Sequence, residues 1–582
     1  MKHFSEDDVT ALRNSDQFNA DWYLEQYPDV KMLAMDPFEH YLWLGRRLHR
    51  KPQPDMLFIK ERINWGIIST PHTIFIADII AERLRLHGWH VDIMTSPPEN
   101  FDHDQYFVIC PQMFDRLPSG EKLISFQMEQ SINERWFTQS YLEILENSFA
   151  VLDYSLVNVD FLSGKGINYP HLYYLPVGTL DQRSGSCDKN IDVLFYGDSK
   201  SSKRRREMLD ALCSEFNVYV ASEVFGSEMT DLIRRSKLVI NLHYYENALL
   251  EMPRIQECLS NGTQVVSESA QDQCHYPELI GAVQFFETGS IAAMLRTVRE
   301  ALSAYEKVEY DIGEKIKSSV SLSAKRFAFM FDRFLIGKGF LPASCAYELA
   351  LPISGSVERV ALSLPETINR RQAFEAVRPV DCAMFDGFRR HPGWLGCGLS
   401  YSALARHAMK NGRKRLNIME DDVVFPTGFE SKIKKVNRYL EEISGKWDIF
   451  SGIIADLHPD VKVISVDYYE GIKFVTIDKM TSMVFNIYNE KALNILSIWD
   501  PLNFDDKTNT IDRFLELQDS LRIVVALPFL VGHHEDLKST LWGFSNTQYN
   551  DMIKKSEIKL HEMADRFLNG HEGVLGRDKV IA

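Results

Sequence analysis

Three consecutive acids, Glu420, Asp421 and Asp422, follow the short apolar run Leu416-Asn417-Ile418-Met419. Such a run reads as a buried strand, so the acids are released where it exits. Packed carboxylates repel one another and lose hydration, and a divalent cation among them compensates both. That is an arrangement for metal-assisted chemistry on a phosphate-bearing substrate. The triplet also reads as a solvated acidic turn, since acids are common in turns.

Two further residues sit where strands would end. In Phe126-Gln127-Met128-Glu129-Gln130 the carboxylate of Glu129 follows an apolar stretch, the place for a catalytic acid, although a single Glu after a strand is common. His72 lies in Thr70-Pro71-His72-Thr73, where an imidazole could act as a base, touch a phosphate or simply pack. The elements that position them repeat. Ile63 to Ile68 reads as a strand, Ile74 to His87 as a helix with 3.6-residue spacing, and Val91 to Met94 as the next strand. A second series starts at Ile191-Asp192-Val193-Leu194-Phe195-Tyr196 and enters a basic helix at Lys203-Arg204-Arg205-Arg206. Alternating strands and helices predict parallel sheets, and two such series predict two Rossmann-like halves with a cleft between them.

The segment Val239-Ile240-Asn241-Leu242-His243, then Glu251-Met252-Pro253-Arg254, Glu257 and Asn261-Gly262-Thr263, resembles the donor-binding stretch of CgeB-like glycosyltransferases of the GT-B fold. The resemblance implies that Glu251, Arg254 and Glu257 face a nucleotide-sugar donor, with a Glu on its ribose or sugar and a helix N-terminus toward the diphosphate. Transferases of this kind often stabilise the leaving diphosphate with Arg and Lys instead of metal, a role for which Lys203, Arg204 and Arg205 are the candidates. The same run also reads as a solvated helix face.

Around the acid triplet, Pro392-Gly393-Trp394-Leu395-Gly396-Cys397-Gly398-Leu399-Ser400-Tyr401 leads into a helix, Ala403 to Lys410, and then the strand with its acids. This order resembles glycosyltransferase family 25, the lipopolysaccharide and collagen sugar transferases, over residues 358 to 545. Trp394 and Tyr401 depart from the Glu and His that are usual there. The resemblance implies a GT-A-like mixed-sheet domain, an inverting transfer and Mn²⁺ or Mg²⁺ held by Glu420, Asp421 and Asp422. It also implies Asp512 as base, Arg370 and Arg371 on the nucleotide phosphates or capping a turn, and UDP-hexose as donor. His533 or His534 would complete the metal shell, with His534 taken as ligand; neighbouring side chains on an extended segment point opposite ways, so one of the two reaches it. Ser539 and Trp542 belong to the closing part of the pattern.

Residues 1 to 54 carry Phe18, Trp22, Tyr23, Tyr27, Phe38, Tyr41 and Trp43 at helical spacing, punctuated by Pro28 and Pro37. They resemble the small aromatic-rich module at the front of many bacterial glycosyltransferases. Its rings could stack on sugar, but core packing is the expectation.

With 582 residues, 45% of them hydrophobic, the chain is long enough for several cored domains. A net charge of −16 argues against nucleic acid as a partner. Eight cysteines without a Cys-x-x-Cys pair indicate neither a zinc site nor a disulfide framework, and reduced thiols in the cytoplasm are expected. No signal peptide or membrane-spanning run is recognised. The sequence therefore predicts an α/β chain: a small helical module (1–54), two GT-B halves (55–180 and 181–345) and a GT-A-like domain (346–582). The expected activity is a cytoplasmic, bifunctional sugar transfer to a glycan or lipid-linked glycan of lipopolysaccharide or capsule type, with peripheral contact at the inner face of the cell membrane. Two alternatives stand beside it: only the C-terminal domain is active, or the whole chain is a noncatalytic glycan-assembly protein.

Overall fold

The structure is a computed structural model that describes residues 63–167, 171–180, 188–306, 310–534 and 549–575, and in the leading segment 6–13, 18, 20, 23–24, 27, 30, 35–46, 50 and 52. Ser539, Trp542 and Cys187 lie outside the described residues, as does much of the leading segment.

Residues 1–61 together with 338–342 pack as a unit of their own. Its buried centre is Leu12, Phe18, Tyr23 and Val30, against which Phe38 and Tyr41 pack. Phe18 sits 4.7 Å from the Phe38 ring and 4.9 Å from the Tyr23 ring, centroid to centroid. The expected core packing of these aromatics is what the described residues show.

The remaining residues, 62–337 and 343–582, form one compact unit with three large sheets. The first joins β1 (Asn64–Ile68), β2 (His90–Met94), β3 (Gln105–Ile109), β4 (Leu123–Gln127), β5 (Ala150–Asp153) and β6 (Leu172–Tyr174), all parallel, in the order β2-β1-β3-β4-β5-β6. The second joins β7 (Ile191–Tyr196), β8 (Val218–Ala221), β9 (Ser236–Asn241), β10 (Gln264–Glu268) and β11 (Val283–Phe286), again parallel, in the order β11-β10-β9-β7-β8. Their central strands read as unbroken apolar runs because helices cover parallel sheets on both faces. In the second sheet Val193, Phe195 and Ile240 pack on Met208 and Leu212 of the helix Lys203–Glu215. Burying each such side chain contributes about 1.5–3 kcal/mol. These are the two Rossmann-like halves expected of the middle region.

The third sheet is mixed. It holds β12 (Arg359–Ser363), β13 (Cys382–Asp386) and β14 (Arg415–Glu420), while β15 (Val423–Val424) stands apart from it. It continues with β16 (Ile449–Ser451), β17 (Val463–Tyr469), β18 (Ile472–Ile477), β19 (Phe485–Asn489) and β20 (Ile523–Leu527), in the order β13-β12-β14-β19-β16-β20-β18-β17. A short antiparallel pair, β15 with β21 (Gly532–His533), matches Val423 to His533.

The helix Tyr310–Gly337 binds the sheets together. Asp332, fully buried, accepts from Arg83 Nε and His87 Nε2 of the first half, each at 2.9 Å. Its neighbour Arg333 donates to both oxygens of Glu366, at 2.7 and 2.9 Å, and Arg389 lies 3.3 Å from the same carboxylate. Buried charges are tolerated only when paired in this way. No described helix is long and apolar enough to cross a membrane.

Candidate active site

A cavity of about 720 Å³ opens where the two parallel sheets face each other, a volume suited to a small-molecule ligand. Its lining comes from the loops that follow β1, β3, β4 and β5 on one side and β7 and β8 on the other, with the helix Met252–Ser260. Ligands of open α/β sheets bind at such carboxyl ends, beside the point where strand order reverses. Here the reversals fall between β1 and β3 and between β7 and β9.

His72, Glu129, Glu251, Arg254 and Glu257 all line this cavity. His72 bonds the Thr70 hydroxyl at 2.9 Å, and burial lowers its pKa, which favours the neutral ring. Glu129 accepts from Gln112 Nε2 at 3.0 Å, and burial raises its carboxyl. Glu257 accepts from the Tyr196 hydroxyl at 3.1 Å, and burial pushes it up to about 7. Burial acts to raise Glu251 too, but Arg254 and Arg205 overcome it and hold that carboxyl below its ordinary value. Arg254 Nη1 reaches Asn241 Oδ1 at 2.7 Å and also pairs with Glu251, while its buried Nε has no hydrogen-bond partner among the described residues.

The basic run is placed differently from its expected role: Lys203, Arg204 and Arg205 do not line the cavity. Lys203 points to solvent beside Glu207, 83% exposed. Arg204 is engaged with the buried Glu268 and donates to the His243 carbonyl at 3.0 Å. Arg205 is buried behind the wall, where it donates to the carbonyls of Leu242 and Asp198 and to Glu251 Oε1 at 2.9, 3.1 and 3.0 Å. A guanidinium beside a buried carboxylate pairs with it, and both arginines are engaged in such pairs. Among the described residues the lysine and arginine of the lining are Lys200 and Arg254, and Lys200 lies in a loop with no periodicity to mark it. That loop starts at Gly197, whose φ of 116° favours glycine and whose Cβ would stand 3.0 Å from Arg254 Nη2. Gln130, Tyr196, Asp198 and Phe225 also line the cavity and were not singled out. The position of Tyr196-Gly197-Asp198 at a strand end was the available signal.

A second cluster forms at the end of β14. Arg370 pairs through Nε with Asp421 and through Nη2 with Asp422 Oδ2, the latter at 2.9 Å. Ser363 Oγ donates to Asp421 Oδ2 at 2.6 Å. His533 Nε2 stands 3.3 Å from Asp422 Oδ2, whereas the backbone N–H of His534 donates to the Asp422 carbonyl at 2.9 Å and its side chain is exposed. The register of β15 with β21 thus presents His533, and not His534, to the acids. Burial and then the Asp422 charge push Glu420 up to about 8, with Asp512 close enough to add to the effect. Arg370 and His533 hold Asp422 below its ordinary value against burial. The structure therefore brings Glu420, Asp421, Asp422, Arg370, His533 and Asp512 together. Arg371 instead pairs with Asp386 and Glu375. Trp394 and Tyr401 are both buried, and the Tyr401 hydroxyl donates to the Met483 carbonyl at 2.9 Å.

Among the described residues no group of three or more His, Cys, Asp or Glu side chains is arranged to hold a metal ion. Arg370 supplies the countercharge to Asp421 and to one oxygen of Asp422. The donor chemistry nonetheless fits a hard divalent cation: carboxylate oxygens, with Asp422 Oδ1 buried and lacking a hydrogen-bond partner among the described residues. Two protein carboxylates suffice for an ion whose other ligands are substrate phosphate and water.

No protein-family model matches the chain, and no curated protein matches it by sequence. Some solved structures resemble it over about half of its length. The chain is similar over 46% of its length to HepE of Anabaena in complex with UDP and glucose, at 11% identity, covering 95% of that chain with a TM-score of 0.32. It is similar over 47% to the sucrose-phosphate synthase of Thermosynechococcus elongatus, at 12% identity, covering 98% of that chain with a TM-score of 0.34. The figures for an alpha-glucosyltransferase in complex with UDP-glucose and DNA containing an abasic site are 47%, 10%, 98% and 0.34.

Proposed function

We propose that the protein is a glycosyltransferase whose middle cavity takes a nucleotide-sugar donor, with UDP-hexose as the preferred class. The observation that carries this reading is Arg254: a guanidinium with an unpartnered buried Nε, in a cavity of ligand size at the carboxyl ends of two facing parallel sheets. Arg254 and Lys200 would steady the charge that develops on the departing diphosphate. In the transfer an acceptor hydroxyl attacks the anomeric carbon, the bond from that carbon to the diphosphate oxygen breaks, and the nucleoside diphosphate leaves with the electron pair. The hydroxyl proton passes to a base, for which neutral His72 and Glu129 are the candidates on the facing wall. Binding of UDP to the full chain tests the reading. Arg254→Ala should weaken it by at least about tenfold, the cost of losing one charge-assisted contact, and unchanged affinity would contradict it.

In the same reading residues 346–582 form a GT-A-like second transferase module, so that the chain makes two additions to a bacterial surface glycan of lipopolysaccharide or capsule type. What supports it is the clustering of Asp512 with the acids of β14. Glu420 and Asp422 would hold Mn²⁺ or Mg²⁺, which when bound supplies charge stabilisation to the donor diphosphate. Arg370 orients Asp421 and Asp422, and Asp512 is the candidate to take the acceptor proton. Consecutive sites on one chain raise the local concentration of the intermediate.

A further inference from the structure

The charges around the middle cavity are divided unevenly between its two walls. Among the described residues the lining from the first half is Pro71 to Ile76, Cys110, Met128 to Gln130 and Tyr154, which includes Glu129 and no lysine or arginine. Both lining cations, Lys200 and Arg254, belong to the second half. A diphosphate is attracted to the second wall, which turns the far end of a nucleotide sugar toward Glu129.

Glu129 is held there firmly. Its backbone carbonyl accepts from Gln127 Nε2 and Asn158 Nδ2, both at 2.9 Å. Gln112 takes Oε1 and leaves Oε2 with lone pairs for a ligand hydroxyl. Across the cavity Glu257 is bonded by Tyr196 at Oε2, which leaves Oε1 in the same condition. Neither carboxyl forms an ion pair among the described residues, since Arg254 is bonded to Glu251 and Asn241. Carboxyl oxygens of this kind accept from sugar hydroxyls. A carboxylate on the sugar brings only acceptors and a like charge, and the guanidinium whose charge acts on Glu129, Arg135, does not line the cavity.

We propose that the cavity selects an uncharged, hydroxyl-rich sugar and rejects one that carries a carboxylate, with Glu129 and Glu257 as the specificity-determining residues. The inference rests on the nucleotide-sugar reading of the cavity.

Calorimetric binding of UDP, UDP-glucose and UDP-glucuronate to the full chain at pH 8, where Glu257 is ionised, tests it, in an Asp422→Ala background so that the acid cluster does not contribute. The expected result is that UDP and UDP-glucose bind while UDP-glucuronate binds at least about tenfold more weakly than UDP-glucose. In Glu129→Gln and Glu257→Gln, which keep shape and hydrogen bonding, that gap narrows, and circular dichroism with thermal melting shows that the variants are folded. Equal binding of the two sugars, or a gap that persists in both variants, overturns the proposal. Absence of UDP binding overturns the nucleotide-sugar reading itself and this inference with it.

Discussion

The side-chain amide of Gln130 exchanges two hydrogen bonds with the backbone of Leu249, donating to its carbonyl and accepting from its N–H, both at 3.0 Å. The partners are 119 positions apart and belong to the two facing halves, one residue from Glu129 and two from Glu251, both of which line the cavity. A rigid fork of this kind fixes the spacing of the two walls. Gln130→Ala should cost about 1–3 kcal/mol of stability through the unsatisfied backbone groups and should weaken UDP binding, whereas Gln130→Glu keeps only the accepted bond. Chemical denaturation paired with calorimetry checks both. A variant as stable as the wild type and equal to it in affinity would show that the fork does not set the cleft.

Glu257 makes stability depend on pH. Its folded pKa of about 7 lies above the ordinary 4.5, so between those values the folded chain keeps a proton that the unfolded chain has released. Stability from this group is therefore lost as pH rises through that window, at most about 3 kcal/mol in all. Glu257→Gln removes the loss. Relative to the wild type, the variant should be more stable at pH 8 than at pH 5, which thermal melts at the two pH values measure.

Glu366 behaves in the opposite sense. Burial alone would raise it, but Arg333 and Arg389 bring it down to about 2. The stability it contributes is full above its ordinary pKa of 4.5 and is lost as pH falls toward 2. Glu366→Gln leaves Arg333 and Arg389 buried without their carboxylate and should cost about 3–5 kcal/mol. The Tyr174 N–H also bonds this carboxylate, at 3.2 Å. The loss should therefore appear as separation of the third sheet from the first half, read as a second transition in the denaturation curve.

Manganese should raise the melting temperature of the wild type at the second cluster. Asp422→Asn should abolish that rise while Asp386→Asn, outside the cluster, retains it. Because melting is read without substrate, the outcome is independent of turnover. A shift that survives in Asp422→Asn places the ion elsewhere.

The sequence was most legible where periodicity carries the signal. The strand read at Ile63 to Ile68 is β1, the helix read at Ile74 to His87 ends one residue earlier, and the run ending at Met419 is β14. What it could not show is which charges find each other across the fold. Arg204 meets Glu268 and Arg205 meets Glu251, 64 and 46 positions away, so a run that resembles a phosphate grip is closed by partners no local pattern reveals. Alternation along an extended segment shows that only one of His533 and His534 faces the acids, but the choice depends on the pairing of His533 with Val423. Lys200 and Phe225 reach the cavity from loops, where spacing carries no period to read.

The most direct test of the account is nucleotide release by the full chain from a panel of nucleotide sugars, with Mn²⁺ or EDTA, comparing the wild type with Arg254→Ala and Asp422→Ala. Release of UDP that depends on Arg254 is expected in the presence of EDTA, together with a second, EDTA-sensitive release that is lost only with Asp422. No release from any donor, or release indifferent to Arg254, would contradict a sugar-transfer site in the middle cavity.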